Sequence, residues 1–200
     1  MLQGLDYLGV AVFAITGGLA AARRELDIVA FIFFASVTGL GGGTLRDVLL
    51  NAPVFWIANP NYLLVPFLAG LLTFYTAHYT EPHFRALLWA DAIGLAAYGV
   101  MGAAKSLSLG APPLAAAVLG VMTATFGGIL RDVLAGEPSV MLRREIYVTA
   151  AVVGSGVFVV LAVLGVSFWI AAIIGFVAAL LVRGGALLRG WGLPTYRRPT

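Results

Sequence analysis

Two pairs of adjacent opposite charges stand out in this sequence, Arg46-Asp47 and Arg131-Asp132, each embedded in an otherwise apolar run. Each follows a glycine-rich stretch, Gly41-Gly42-Gly43 in the first case and Gly127-Gly128 in the second. An ionisable side chain within a long apolar segment costs several kcal/mol unless it is paired or hydrated, so such residues mark ion pathways, relays or gates. Neighbours i and i+1 on a helix point in different directions, so neither pair is expected to satisfy itself. The expected solution is exchange, with Arg46 meeting Asp132 and Arg131 meeting Asp47, either as a lock between two halves or as part of a path for solute. The glycines allow two readings. Spacings of four (Ala35, Gly39, Gly43 and Gly120, Ala124, Gly128) suit close helix packing. Adjacent glycines also lower the cost of breaking a helix, and a break inside a membrane must line protein or a wet cavity.

The segments that carry these residues repeat. Gly42-Gly43-Thr44-Leu45-Arg46-Asp47-Val48-Leu49 returns 85 residues later as Gly127-Gly128-Ile129-Leu130-Arg131-Asp132-Val133-Leu134. At the same offset Asp6 matches Asp91, Gly17 matches Gly102, Thr38 matches Thr123, Pro53 matches Pro138 and Tyr62 matches Tyr147, with no gap.

Apolar residues make up 61% of the chain and charged residues 10%, with a mean hydropathy of +1.00. A soluble domain carries about a quarter charged residues, so there is too little charge here to clothe a water-facing surface. The net charge of +3 does not point to nucleic acid, because the basic residues form no stripe. Without cysteine there is no disulfide, thiol chemistry or thiolate metal site. His78 and His83 lack a carboxylate or cysteine cluster at ligand spacing, so no metal or cofactor is expected. No phosphate loop, dinucleotide fingerprint or catalytic triad is legible, and no enzyme is expected.

A bilayer core needs about 20 predominantly apolar residues per helix. Seven segments fit: Leu5–Ala22, Val29–Leu50, Tyr62–Tyr79, Phe84–Ser106, Pro113–Leu134, Ile146–Leu164 and Ser167–Leu188. The start of the chain lacks the signature of a cleaved signal, so the first segment should persist as a helix. The expected fold is an all-α polytopic membrane protein in a single domain, 1–200. Within it lie a first three-helix repeat (5–80), a second, inverted repeat (84–165), a seventh helix (167–188) and a tail (189–200). A repeat with an odd number of spans re-enters the membrane from the other side, an arrangement usual in transporters and related pores. Arg23, Arg24, Arg85, Arg143, Arg144, Arg183, Arg189, Arg197 and Arg198 fall on the C-terminal side, against Lys105 on the other. The positive-inside rule then places the N-terminus outside and the C-terminus in the cytoplasm of a prokaryotic inner membrane. Trp56, Trp89, Trp169 and Trp191 fall near segment ends, as an interfacial belt requires. Asp91 and Asp6 read either as interfacial helix-start acids favoured by the helix dipole or as weaker pathway candidates, with Thr38 and Thr123.

Gly41-Gly42-Gly43-Thr44-Leu45-Arg46-Asp47 and its second copy Phe126-Gly127-Gly128-Ile129-Leu130-Arg131-Asp132 resemble the prokaryotic TRIC family of trimeric intracellular cation channels, whose bacterial branch is also described by a glycine-transporter label. The resemblance spans about Leu5 to Leu188. It implies a homotrimer with a pore in each protomer conducting monovalent cations, chiefly potassium and sodium. It also implies second and fifth helices kinked at Gly41, Gly42, Gly43, Gly127 and Gly128, with Arg46, Asp47, Arg131 and Asp132 along or beside the path. Animal members carry a lysine-containing motif at this place. Because two arginines beside a cation path would repel the ion, the arginines are expected to gate or brace, while Asp47, Asp132 and freed glycine carbonyls stabilise the cation. A carrier for a small polar solute such as glycine fits the same sequence features, and a purely structural membrane subunit is a third possibility. Lipid, the permeant K+ or Na+ and two further copies of the chain are the expected partners.

Overall fold

The computed structural model describes residues 2–80, 84–137 and 146–193, which are helical with short connections. The helices are α1 (Leu2–Ala22), α2 (Ile28–Leu49), the single-turn α3 (Phe55–Ala58), α4 (Leu64–Thr80), α5 (Phe84–Ser108), α6 (Pro113–Leu134), α7 (Val148–Val163) and α8 (Phe168–Arg189). A 3-10 turn at Pro60–Leu63 leads into α4. Ile28–Leu49, Pro113–Leu134 and Phe168–Arg189 are each long and apolar enough to cross a membrane. His83, Pro138, Arg143, Arg144, Arg197 and Arg198 lie outside the described residues.

Local chemistry sets the helix ends, and it does so twice. The Asp27 carboxylate caps α2 by accepting from the Ala30 N–H at 2.8 Å, and Pro112-Pro113 opens α6 with a preset φ. Helix α1 ends on a left-handed Glu25 and α5 on a left-handed Gly110, its mate at the repeat offset. Helices α2 and α6 end on left-handed Asn51 and Gly136, again mates. At both of the latter ends the same bonds recur: Ala52 N–H to Asp47 C=O at 2.9 Å, and Glu137 N–H to Asp132 C=O at 2.9 Å. This is the Schellman arrangement, which satisfies carbonyls that a bare helix end leaves open.

Packing follows the repeat as well. Helices α2 and α6 cross at the centre; α4 packs on α1 and α2, while its counterpart α7 packs on α5 and α6. Helix α8 lies outside this pattern, against α5 and α7. Leu68, Leu72, Val160, Val163, Ile173 and Leu181 face outward, while Thr16, Thr38, Ser106, Thr123 and Ser155 are buried with the charged groups. An apolar exterior around a polar interior is the arrangement that lipid as solvent selects.

The glycines do not break the helices. Both α2 and α6 run unbroken through Gly41–Gly43 and Gly127–Gly128, and none of these glycines has a positive φ. The reason is proximity. A Cβ on Gly42 would lie 2.0 Å from the Thr123 carbonyl oxygen, and one on Gly127 would lie 2.2 Å from that of Thr38. The glycines let two backbones touch, and an intact helix keeps its own carbonyls bonded. The expectation of freed glycine carbonyls is therefore corrected.

Candidate functional site

The crossing contacts fix where the charges go. Position 42 meets 123 and position 38 meets 127, so α2 and α6 run antiparallel. The crossing is centred near Leu40 and Thr125. Arg46 and Arg131 lie six residues beyond it in opposite directions, about 9 Å each along the axes at 1.5 Å per residue. Both arginines fall in the last turn of their helices. Arg46 thus cannot reach Asp132, nor Arg131 Asp47, and the expected exchange of partners does not occur.

Each arginine instead folds back on its own neighbour. Arg46 Nε and Nη2 both donate to Asp47 Oδ1, at 2.9 and 2.8 Å. Arg131 Nε and Nη2 donate to Asp132 Oδ1 at 3.0 and 2.9 Å. The Cβ directions of i and i+1 diverge, but the guanidinium fork sits on a stem long enough to curl back across the helix end. All four residues are buried, Arg46 at 1% and Asp47 at 0% exposure, Arg131 and Asp132 at 4%.

Two clusters result, one at each end of the crossing. In the first, the other Asp47 oxygen accepts from Lys105 Nζ at 3.1 Å and from the Phe55 N–H at 2.9 Å. Lys105 also lies 5.4 Å from the centre of the Phe55 ring, which rests on Gly43. Trp56 Nε1 donates to Thr44 Oγ1 at 2.9 Å, so α3 is fastened to α2 at two points. Tyr62 is edge-on to Phe55 and stacks on Tyr7, with ring centres 4.1 Å apart. Asp47 therefore has its acceptor capacity taken up by protein. Its chemistry here is to hold α2, α3 and α5 together.

In the second cluster Arg131 Nη1 donates to Asp91 Oδ1 at 2.9 Å and to Thr16 Oγ1 at 3.2 Å. Asp91 is 3% exposed and seven residues inside α5, which corrects its reading as an interfacial helix-start acid. A buried carboxylate on a guanidinium is tolerated because the opposite charge and hydrogen bonds of each offset the hydration the other lost in leaving water. Tyr147 packs on Gly128, and the Arg183 guanidinium lies 5.1 Å from the Tyr147 ring. Arg183 Nη1 also donates to the Ile146 carbonyl at 3.4 Å.

Thr38 and Thr123 take equivalent places beside the crossing. Thr38 touches Gly17 and Gly127; Thr123 touches Gly102 and Gly42. The positive-inside count assigns Lys105 and Arg183 to the two membrane faces, yet Lys105 reaches Asp47 and Arg183 is 1% exposed within α8. The signal that could have found Lys105 is its place in the last turn of an apolar helix, the same place that Arg46 and Arg131 occupy. Among the described residues no group of His, Cys, Asp and Glu could hold a metal ion.

Comparison with known proteins follows the same division of the chain. The family model described as Glycine transporter matches residues 3–78 and again 88–163, the second match beginning and ending 85 residues after the first. The chain is 41% identical to a UPF0126 membrane protein of Vibrio cholerae, over 98% of this chain and 83% of that one. It is 38% identical to the UPF0126 inner membrane protein YadS of Escherichia coli, over 98% and 96%. It is similar in structure to the TRIC trimeric intracellular cation channel orthologue from Rhodobacter sphaeroides, with a TM-score of 0.92, 46% identity and coverage of 95% and 98%. With both copies of its repeat matched and near-complete relatives at these identities, the chain is a membrane protein of the prokaryotic TRIC family, the group that also carries the glycine-transporter and UPF0126 descriptions.

Proposed function

We propose that this chain is a monovalent cation channel for K+ and Na+, with a path in each protomer along the α2–α6 seam. The observation that carries the reading is the pair of buried charge clusters at opposite ends of one antiparallel crossing, within a bundle whose outer face is apolar. Intramembrane charges that are paired and repeated by symmetry belong to pathways far more often than to ordinary packing. The similar solved structures are described as TRIC cation channels, which supports the class and speaks against an enzyme.

In this reading α1, α2 and α4 form one three-span repeat, α5, α6 and α7 its inverted copy, and α8 the seventh span. The N-terminus lies outside and the C-terminus in the cytoplasm. Two contacts fit such alternation: Arg23 after α1 pairs with Glu137 after α6, and Lys105 late in α5 pairs with Asp47 late in α2. Three copies assemble, as in the trimeric relative. An ion would pass one charged cluster, the seam beside Thr38 and Thr123, and then the other cluster. Arg46 and Arg131 brace and gate, since their forks are committed to Asp47 and Asp132. Loss of Arg46 should thus alter opening while cation preference persists.

A second reading, a carrier for a small polar solute such as glycine, is favoured by the description of the matching family and by the same repeat. Liposome flux separates the two. Potassium-driven dissipation of an imposed gradient, with no saturable uptake of labelled glycine, supports the channel; saturable, competable glycine uptake without potassium flux rejects it.

A further inference from the structure

The two Arg–Asp pairs are mates in sequence but differ by one bond. Arg131 Nη1 reaches Asp91 and ties α6 to α5. The mate of Asp91 is Asp6, on α1, so the corresponding partner of Arg46 is Asp6. Yet Arg46 Nη1 is buried with no hydrogen-bond partner among the described residues. Asp6, partly buried in α1, makes no ion pair among the described residues, and it adjoins Tyr7, which the Tyr62 and Phe55 rings link to Asp47, the neighbour of Arg46. A guanidinium N–H left unpaired in the interior is costly, and a carboxylate within its electrostatic reach is the group that relieves it.

Charge balance gives an independent reason. Arg46 and Lys105 carry two positive charges against the single negative charge of Asp47, so this cluster is positive without Asp6. At the other end Arg131 has two carboxylates, Asp91 and Asp132, in direct contact. A cation path cannot carry uncompensated positive charge at one mouth without a barrier.

We propose that Asp6 is a selectivity-determining carboxylate, docking on Arg46 Nη1 in the place that Asp91 takes on Arg131 and neutralising this end of the path. The selectivity role rests on the channel reading above; the docking does not. Asp6 lies only one residue from Tyr7, whose ring is held by the Tyr62 stack and whose hydroxyl accepts from Asn59 Nδ2 at 3.3 Å. The α1 backbone is thereby anchored beside this cluster.

The test joins bilayer recording with thermal melting on the full chain, using Asp6→Asn, Asp6→Glu, Arg46→Gln and the double variant Asp6→Asn/Arg46→Gln. Asp6→Asn is expected to lower the K+/Cl− permeability ratio at least about fivefold, the effect of one uncompensated charge near a hydrated path. Asp6→Glu should retain the ratio, and the double variant should recover it. Asp6→Asn should also lower Tm by about 2–4 °C in the native background and by less when Arg46 is already Gln. An unchanged permeability ratio in Asp6→Asn overturns the selectivity role, and additive melting shifts overturn the docking. Wild-type protein that passes no current rejects the channel reading and the selectivity role with it, leaving the melting cycle to decide the pairing alone.

Discussion

Replacing Gly42 by Ala tests the packing on which both clusters depend. The new Cβ would lie 2.0 Å from the Thr123 carbonyl oxygen, which belongs to the backbone of α6 and cannot rotate away. Real contacts of this kind stay beyond about 3 Å, so the helices must part by about 1 Å at their crossing. Overpacking of a well-filled site costs about 1–3 kcal/mol, and a backbone neighbour puts this one at the upper end. The gain in helix propensity from Gly to Ala offsets about 0.8–1 kcal/mol of that. The net is a loss of about 1–2 kcal/mol. Gly156 in α7 supplies the internal control, because a Cβ there meets nothing within 4 Å. Gly156→Ala should stabilise by about 0.5–1 kcal/mol through propensity alone. For a chain of this size the two variants should differ in Tm by roughly 5–10 °C in the same detergent. Equal melting temperatures would mean that α2 and α6 do not touch at Gly42, and the antiparallel placement of the clusters would fall with that contact.

The charged clusters yield further expectations. Asp47→Asn leaves Arg46 and Lys105 without their shared carboxylate and should cost about 3–5 kcal/mol in melting experiments; adding Lys105→Met should recover part of the loss. Asp91→Asn removes a carboxylate held 2.9 Å from Arg131 Nη1 in the interior and should cost about 3–5 kcal/mol in the same melting experiments; a loss below about 1 kcal/mol would show that this pair does not hold α5 to α6. Arg46→Ala should change open probability while the reversal potential stays that of a cation channel, and loss of cation preference with unchanged gating would reject the bracing role. Trp56→Phe removes the Nε1 bond to Thr44 and should cost about 1 kcal/mol, read as a small Tm shift without change of ion preference.

Much of this molecule is written plainly in its sequence because the repeat acts at the level of caps and contacts. Glu25 and Gly110, and Asn51 and Gly136, end equivalent helices in the same left-handed turn, although two of these four residues are not glycine. Glycine spacing declared a close approach, but one-dimensional spacing does not separate a helix that bends from one that lets a neighbour in. The carbonyl opposite Gly42 decides that question, and it belongs to a residue 81 positions away, Thr123. The partners of the arginines are hidden from the sequence for a related reason. Sequence gives the position of Arg46 along α2, whereas the antiparallel crossing that separates it from Asp132 is a tertiary fact. The positive-inside count treats Lys105 and Arg183 as charges of the membrane faces because they lie near segment ends, where a half-turn of rotation turns a solvated residue into a buried one. The short α3 was hidden within an apparent loop; Phe55 forms it by giving its N–H to Asp47.

The measurement closest to the central claim is current through a planar bilayer containing the purified protein between asymmetric KCl solutions. Discrete unitary steps reversing near the potassium equilibrium potential, and losing that preference in Asp6→Asn, are the expected result. Reversal near the chloride potential, or a bilayer silent across the voltage range while the same protein takes up labelled glycine saturably in liposomes, would contradict it.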